Sequence, residues 1–220
     1  MKKQSSELYG IIGLGRFGFA LAKSLAEAGK EVIVVDWNES KIKDATAFTD
    51  NAFAVKEINR DVLIESGIKN CDTAVVCIGE KIDTSVLTTL TLIELGIKRV
   101  ISKAISPEHG NVLEKLGAEV VYPERDMAER LAKRLTSSKI MEYISLSDEI
   151  DITEMLLTEK TDGKTVKELD LRPKYGLNII AINHTGIIDT DIRADTQLHT
   201  DDVIVVCGKQ KNIERLESDI

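Results

Sequence analysis

The sequence predicts an α/β fold: a Rossmann-like, doubly wound parallel sheet followed by a second, smaller α+β domain. Three observations predict it. Short apolar runs alternate with longer helix-like segments from residue 8 to about 137. The run Gly13-Leu14-Gly15-Arg16-Phe17-Gly18 joins the first apolar run to the first helix-like segment. After Ile140 the rhythm changes to strand-like runs broken by turns.

The first strand is expected at 8–12, and the others at 31–36, 52–55, 73–78, 99–103 and 119–122. Helix-like segments such as 17–28, 83–95 and 126–135 carry apolar residues at three- and four-residue spacing, and Gly29 and Gly96 fit helix stops. Helix-linked parallel strands connect right-handedly, so the ligand crevice is expected at the carboxyl ends of the strands.

Domain one is expected over 1–138 and domain two over 148–220, joined by a helical crossover at 139–147 that contains no Gly or Pro. In the second domain 150–157 reads as a strand and 165–169 as a short helix. Residues 178–183 and 187–189 read as a hairpin around His184-Thr185-Gly186, and 203–207 as the last strand.

At 220 residues the chain suits two modest domains. Its 43% hydrophobic and 30% charged residues suit a folded protein, and 4% aromatics disfavour a base-stacking nucleic-acid binder. A net charge of -8 without a Lys/Arg run sets it against phosphate backbones, so no nucleic-acid partner is expected. No stretch approaches the roughly 20 apolar residues of a spanning helix, and the polar start lacks an apolar leader, so a cytoplasmic protein is expected. Cys71, Cys77 and Cys207 lie in or beside apolar runs and read as reduced, buried thiols.

The glycine loop carries the chemistry. Gly13 permits a tight turn, Gly15 lets backbone N–H groups approach a pyrophosphate, and Gly18 lets the helix pack closely on its strand. Asp36 closes the second strand, where a carboxylate accepts both hydroxyls of an adenosine ribose and disfavours the 2′-phosphate of NADP. Arg16 places a cation within reach of a phosphate. Gly79-Glu80, Lys103 and Glu124-Arg125-Asp126 follow later strands and face the same crevice, and Phe17, Trp37, Lys56 and Ile78 complete the set of expected contacts.

Catalysis is not expected. None of Tyr9, Tyr122, Tyr143 and Tyr175 is followed four residues later by the lysine of a short-chain reductase. His109, His184 and His199 are far apart in sequence without ligand spacing, and each reads as a surface or capping histidine. A small NAD-dependent oxidoreductase and a redox-sensing repressor remain as alternatives; the first lacks recognisable acid–base residues, and the second lacks a helix-turn-helix or basic arm.

Four further segments narrow the reading: Ser85-Val86-Leu87-Thr88-Thr89-Leu90, Lys115-Leu116-Gly117-Ala118, Tyr122-Pro123-Glu124-Arg125-Asp126-Met127-Ala128 and Leu171-Arg172-Pro173-Lys174-Tyr175-Gly176-Leu177-Asn178-Ile179-Ile180-Ala181-Ile182. With the glycine loop they resemble the KtrA/TrkA-type regulators of potassium conductance, the RCK or KTN proteins, over nearly the whole chain.

The resemblance implies a dimer joined through the helix after the sixth strand, an octameric ring of four dimers, and a separate membrane subunit of the KtrB or TrkH type that translocates potassium. It places the protein at the inner face of the membrane through that partner. It also implies ATP and ADP as competing ligands, with NAD(H) in some relatives. Gly13, Gly15 and Gly18 would hold phosphates, Asp36 the ribose and Arg16 a terminal phosphate, with Lys103 beside the phosphates. Glu124 would hold a divalent or sodium cation at the dimer interface. Some relatives bind cyclic di-AMP through positions matching Arg172 and Asn178.

Two departures are visible. Val55-Lys56 stands where the family commonly has a small-polar pair near the adenine, and Thr190-Asp191 replaces a Ser-Pro element after the hairpin.

Overall fold

A computed structural model describes residues 7–136, 139–147 and 149–220. The first six residues and the expected domain boundary at 138 lie outside the described residues. The chain divides into two compact units, Met1–Arg125 and Asp126–Ile220.

In the first unit the strands are β1 (Leu8–Ile12), β2 (Glu31–Asp36), β3 (Ala52–Ala54), β4 (Thr73–Val76), β5 (Arg99–Lys103) and β6 (Glu119–Val121). Between them run the helices α1 (Arg16–Glu27), α2 (Glu39–Ala45), α3 (Arg60–Glu65), α4 (Ile82–Glu94) and α5 (Pro107–Leu116); α6 (Pro123–Thr136) follows β6. All six strands pair parallel in the order β3-β2-β1-β4-β5-β6. The chain winds outward from β1 in both directions, so the order reverses between β1 and β4 and opens a crevice at their carboxyl ends.

Apolar runs without alternation suit this sheet because both faces are covered. Ile12, Ile33, Val35 and Val76 enter one core with Leu63 and Leu92. Ile11, Val32, Val34 and Val75 enter the other with Ala22 and Ile42. Side-chain caps fix where helices begin: Asn38 accepts from Ser40 and Lys41, Asn59 from Val62, and Ser106 from His109.

The second unit is antiparallel. Its strands are β7 (Ile140–Ser145), β8 (Ile150–Leu156), β9 (Asn178–His184), β10 (Ile187–Asp189) and β11 (Val203–Lys209), ordered β10-β9-β11-β8-β7. The helices α7 (Val166–Leu169), α8 (Leu171–Tyr175) and α9 (Gln210–Asp219) belong to it, as does α6 from Asp126 onward. Met155, Ile182, Ile204 and Val206 from the strands pack with Leu171, Tyr175, Ile213 and Leu216 from α8 and α9.

Three expectations are corrected. The segment 139–147 is no helical crossover: Ile140–Ser145 is a strand paired with β8, and Ser147 Oγ accepts the Glu149 and Ile150 N–H groups where the chain turns back. The run Ile140-Met141-Glu142-Tyr143-Ile144 is rich in β-favouring residues, and pairing satisfies an edge that β8 would otherwise expose. The helices α8 and α9, not expected from the sequence, cover the second core. His109 is neither surface nor cap: it shares an α5 face with Leu113, one turn on, and that face is buried.

Candidate functional site

The crevice between the ends of β1 and β4 is a cavity of about 610 Å³, within the usual ligand-site range of roughly 300–1,000 Å³. Its floor is the turn from β1 into α1. Gly13 sits at φ +97°, a region costly for other residues, and a Cβ there would stand 3.2 Å from the Cys77 carbonyl carbon. The Gly13 N–H is tied to the Val35 carbonyl at 2.8 Å, which locks the turn to β2.

Gly18 and Gly15 do different work. A Cβ on Gly18 would run into the Gly13 carbonyl oxygen and come within 2.9 Å of Cys77 Cβ. Gly18 is buried and does not line the cavity, and its tight packing sets the approach of α1 to the sheet. Gly15, at φ -65° as the N-cap of α1, needs no special backbone freedom, and a Cβ there meets nothing within 4 Å. That open space lies at the α1 N-terminus, where the first N–H groups lack intrahelical partners and the dipole favours an anion.

Asp36 closes β2 beside this turn. Its Oδ2 accepts the Leu14 N–H at 2.5 Å, its Oδ1 accepts the Asn38 N–H at 2.7 Å, and the residue is 1% exposed. Two amides thus orient the carboxylate, and each oxygen retains acceptor capacity for a sugar hydroxyl.

Opposite the turn stand Ile78, Gly79 and Glu80 after β4, Lys103 at the end of β5 and Glu124 at the start of α6. Lys103 Nζ donates to Glu124 Oε1 at 2.5 Å; the lysine side chain is 13% exposed and the glutamate 67%. That hydrogen bond holds the Glu124 carboxyl below its ordinary value, with Arg16 adding a smaller pull in the same direction. Burial pushes the Cys77 thiol up to about 12, so it lines the cavity as an unreactive group.

Of the expected residues, Gly13, Gly15, Arg16, Phe17, Asp36, Trp37, Ile78, Gly79, Glu80, Lys103 and Glu124 come together around this one cavity. Lys56 does not. It lines a neighbouring cavity of about 290 Å³ with Glu57, Ile58, Lys81, Thr84 and Leu87, and Trp37 is shared by both. Lys81 Nζ lies 5.2 Å from the Trp37 ring centre. Asn38, Lys41, Cys77 and Ile105 also line the main cavity and were not expected. Asn38 carries a sequence signal, since Asn before a helix-like segment reads as an N-cap, and Lys41 follows from that cap.

In the second unit Arg172 and Asn178 share a cavity of about 290 Å³ with Lys167, Asp170, Pro173 and Leu177. Among the described residues no group of three or more His, Cys, Asp or Glu gathers as a metal site, and no helix is long and apolar enough to cross a membrane.

The TrkA-N domain model matches residues 9–123 and the TrkA-C domain model residues 152–220. The chain is 38% identical to the Ktr system potassium uptake protein C of Bacillus subtilis, covering 99% of this chain and 97% of that one. It is 37% identical to the Ktr system potassium uptake protein A of the same organism, covering 100% and 99%. Among solved structures it superposes on the GsuK channel bound to NAD with a TM-score of 0.51 at 23% identity, covering 97% of this chain and 38% of that one. That likeness speaks for the fold, and the chain spans well under half of the channel polypeptide.

Proposed function

Since this chain belongs to the family that pairs a TrkA-N with a TrkA-C domain, and runs alongside the Ktr potassium uptake proteins over their whole length, we propose that it is a nucleotide-sensing regulatory subunit of a potassium uptake system. The observation that carries the reading is the cradle at the end of β1: the α1 N-terminus under an open Gly15, flanked by a carboxylate already oriented by two amides.

The charge of this cavity and its volume suit an adenine nucleotide. The α1 N–H groups and Arg16 face the phosphates, Asp36 accepts the ribose hydroxyls, and Trp37 borders the base. ATP and ADP are the ligands of this reading, with NAD(H) as a third of the same chemistry. The described lining contains neither a tyrosine nor a histidine, which favours a binding module over hydride transfer.

Lys103 connects the nucleotide to a cation. It lines the phosphate side of the cavity and pairs with Glu124, so an added phosphate competes for its ammonium and releases the glutamate carboxylate for a divalent or sodium ion. Charge changes of this kind bias a two-state assembly. That assembly is a ring of dimers joined through α6, whose Met127, Leu131 and Leu135 leave an exposed apolar stripe at four-residue spacing. The ring acts at the cytoplasmic face of the membrane on a KtrB- or TrkH-like potassium-translocating subunit. Arg172 and Asn178 are where the second unit would take cyclic di-AMP.

Calorimetry with ATP, ADP, NADH and NADPH, combined with light scattering on the eluting protein, tests the reading. Adenine-nucleotide binding by a large homo-oligomer is expected. A dimer that prefers NADPH and turns it over would overturn it in favour of a small oxidoreductase.

A further inference from the structure

The buried side-chain polar atoms without a partner among the described residues lie on two neighbouring helices of the first unit: Ser85 Oγ and Thr88 Oγ1 on α4, and both ring nitrogens of His109 on α5. The right-handed connections β4-α4-β5 and β5-α5-β6 progress across the sheet in one direction, which lays both helices on one face. Ser102 of β5 points to that face, since its Oγ lies 2.8 Å from Thr89 Oγ1 of α4. His109 is 3% exposed, and the adjoining Gly110 packs so closely on Tyr122 that a Cβ would run into the tyrosine hydroxyl.

A neutral imidazole tolerates this setting, whereas an imidazolium does not. The charged ring donates from both nitrogens, and neither has a hydrogen-bond partner. The surrounding elements bring no compensating charge. The buried face of α4 carries Ser85, Thr88, Thr89 and Leu92, while Asp83 and Glu94 of that helix are exposed. On β6, Glu119 is exposed and paired with Arg99; Tyr122 follows, with Arg125 over its ring. Lys103, next to Ser102 on β5, points to the opposite face and pairs with Glu124. Glu108, Glu114 and Lys115 of α5 itself are exposed. Burial accordingly holds the His109 ring below its ordinary 6.5.

Helix α5 is joined directly to the nucleotide cavity. Its N-cap Ser106 accepts the His109 main-chain N–H through Oγ at 3.2 Å, and Lys103 and Ile105, just before it, line the cavity. We infer that His109 is an acid-sensitive latch: once protonated it leaves the core, the first turn of α5 and the Lys103–Ile105 wall loosen with it, and nucleotide binding weakens. The ligand of this latch rests on the nucleotide reading. The binding-competent form keeps His109 neutral, so by linkage a bound nucleotide also makes the ring harder to protonate. The unfolded ring titrates at its ordinary 6.5 and the folded one lower, so between the two values the unfolded chain holds the extra proton. Stability is therefore complete above pH 6.5 and declines as pH falls below it, by up to a factor of about ten in the unfolding constant per pH unit.

Urea unfolding and calorimetric ADP affinity of the full chain, followed from about pH 7.5 to about pH 5.5 in the parent, His109→Leu and His109→Gln, test the latch. Leucine replaces both unpartnered nitrogens with apolar groups, and glutamine, neutral throughout, is the second variant should leucine disturb the packing. Over this range the parent's unfolding constant is expected to rise about threefold or more beyond that of either variant, and its ADP affinity to fall about twofold or more beyond theirs. In imidazole proton spectra, the resonance missing from His109→Gln is expected to titrate below 6.5, and lower still with ADP bound. Parallel pH dependence of unfolding in all three proteins would overturn the latch. A pH dependence of ADP affinity common to all three would overturn its coupling to the cavity. Absence of adenine-nucleotide binding at pH 7.5 would remove the nucleotide reading and the coupling together, while the unfolding measurement judges the buried ring by itself.

Discussion

Asp36 Oδ2 accepts the Leu14 backbone N–H at 2.5 Å, so the carboxylate that ends β2 is fastened to the turn that leaves β1. The glycine loop and the acidic residue are therefore one object: the side chain that would grip a ribose also fixes the height of the phosphate cradle. Removing it disturbs both.

Asp36→Ala is expected to lower ATP and ADP affinity at least about tenfold, the size of one lost charge-assisted hydrogen bond. The same change leaves the Leu14 and Asn38 amides without their acceptor, at about 1–3 kcal/mol in a buried setting. Calorimetry and denaturant unfolding read the two effects separately. Unchanged affinity for every adenine nucleotide would remove Asp36 from the site.

Gly15→Ala and Gly18→Ala should part company. Gly18 has no room for a Cβ against the Gly13 carbonyl and Cys77, so its replacement is expected to cost about 1–3 kcal/mol of stability. Gly15 has both room and an ordinary φ, so alanine there is expected to change stability by less than about 1 kcal/mol, the entropy gain offsetting the N-cap preference for glycine, while nucleotide affinity falls because the methyl group occupies the ligand's space. Melting curves with and without ADP separate the two.

The Lys103–Glu124 pair has a pH signature. The Glu124 carboxyl is depressed in the folded chain from its ordinary 4.5, so the pair's contribution is fully present above pH 4.5 and is lost as pH falls through the lower folded value. The glutamate is mostly exposed, which limits the effect to under about 1 kcal/mol. Urea midpoints of the parent and Glu124→Gln are expected to differ at pH 6 and to converge as the pH drops below 4. A constant difference across that range would contradict the assignment.

Thiol titration should find Cys71 and Cys77 silent. Burial pushes both to about 12, leaving a negligible thiolate fraction at pH 8. Reaction with a disulfide reagent is expected at no more than one of the 3 cysteines in the native protein and at all of them in denaturant. Fast modification of Cys77 in native protein would mean that the wall between Gly18 and β4 opens.

Much of the first unit was legible because parallel sheets buried on both faces write their strands as unbroken apolar runs. All six strand positions followed from runs such as Val32-Ile33-Val34-Val35. The second unit was harder. Ile140–Ser145 is an edge strand whose pairing with β8 depends on a turn at Ser147; its Ile and Tyr residues favour a strand, but a run this short without alternation also fits a short helix. Lys56 stands apart from the main cavity for a related reason: it lines the cavity beyond Trp37, and sequence order alone does not say which side of an indole a neighbouring lysine occupies.

The sequence by itself determined the parallel sheet, the glycine turn and its partner carboxylate, because those rest on backbone sterics, helix-end dipoles and hydrophobic periodicity, all local to a few residues. Only the tertiary structure decided that Gly18 serves packing while Gly15 leaves space, that Lys103 engages Glu124, and that His184 and His199 share Asp202. Each of these joins residues brought together by folding, and the distances that give them meaning do not exist in the extended chain.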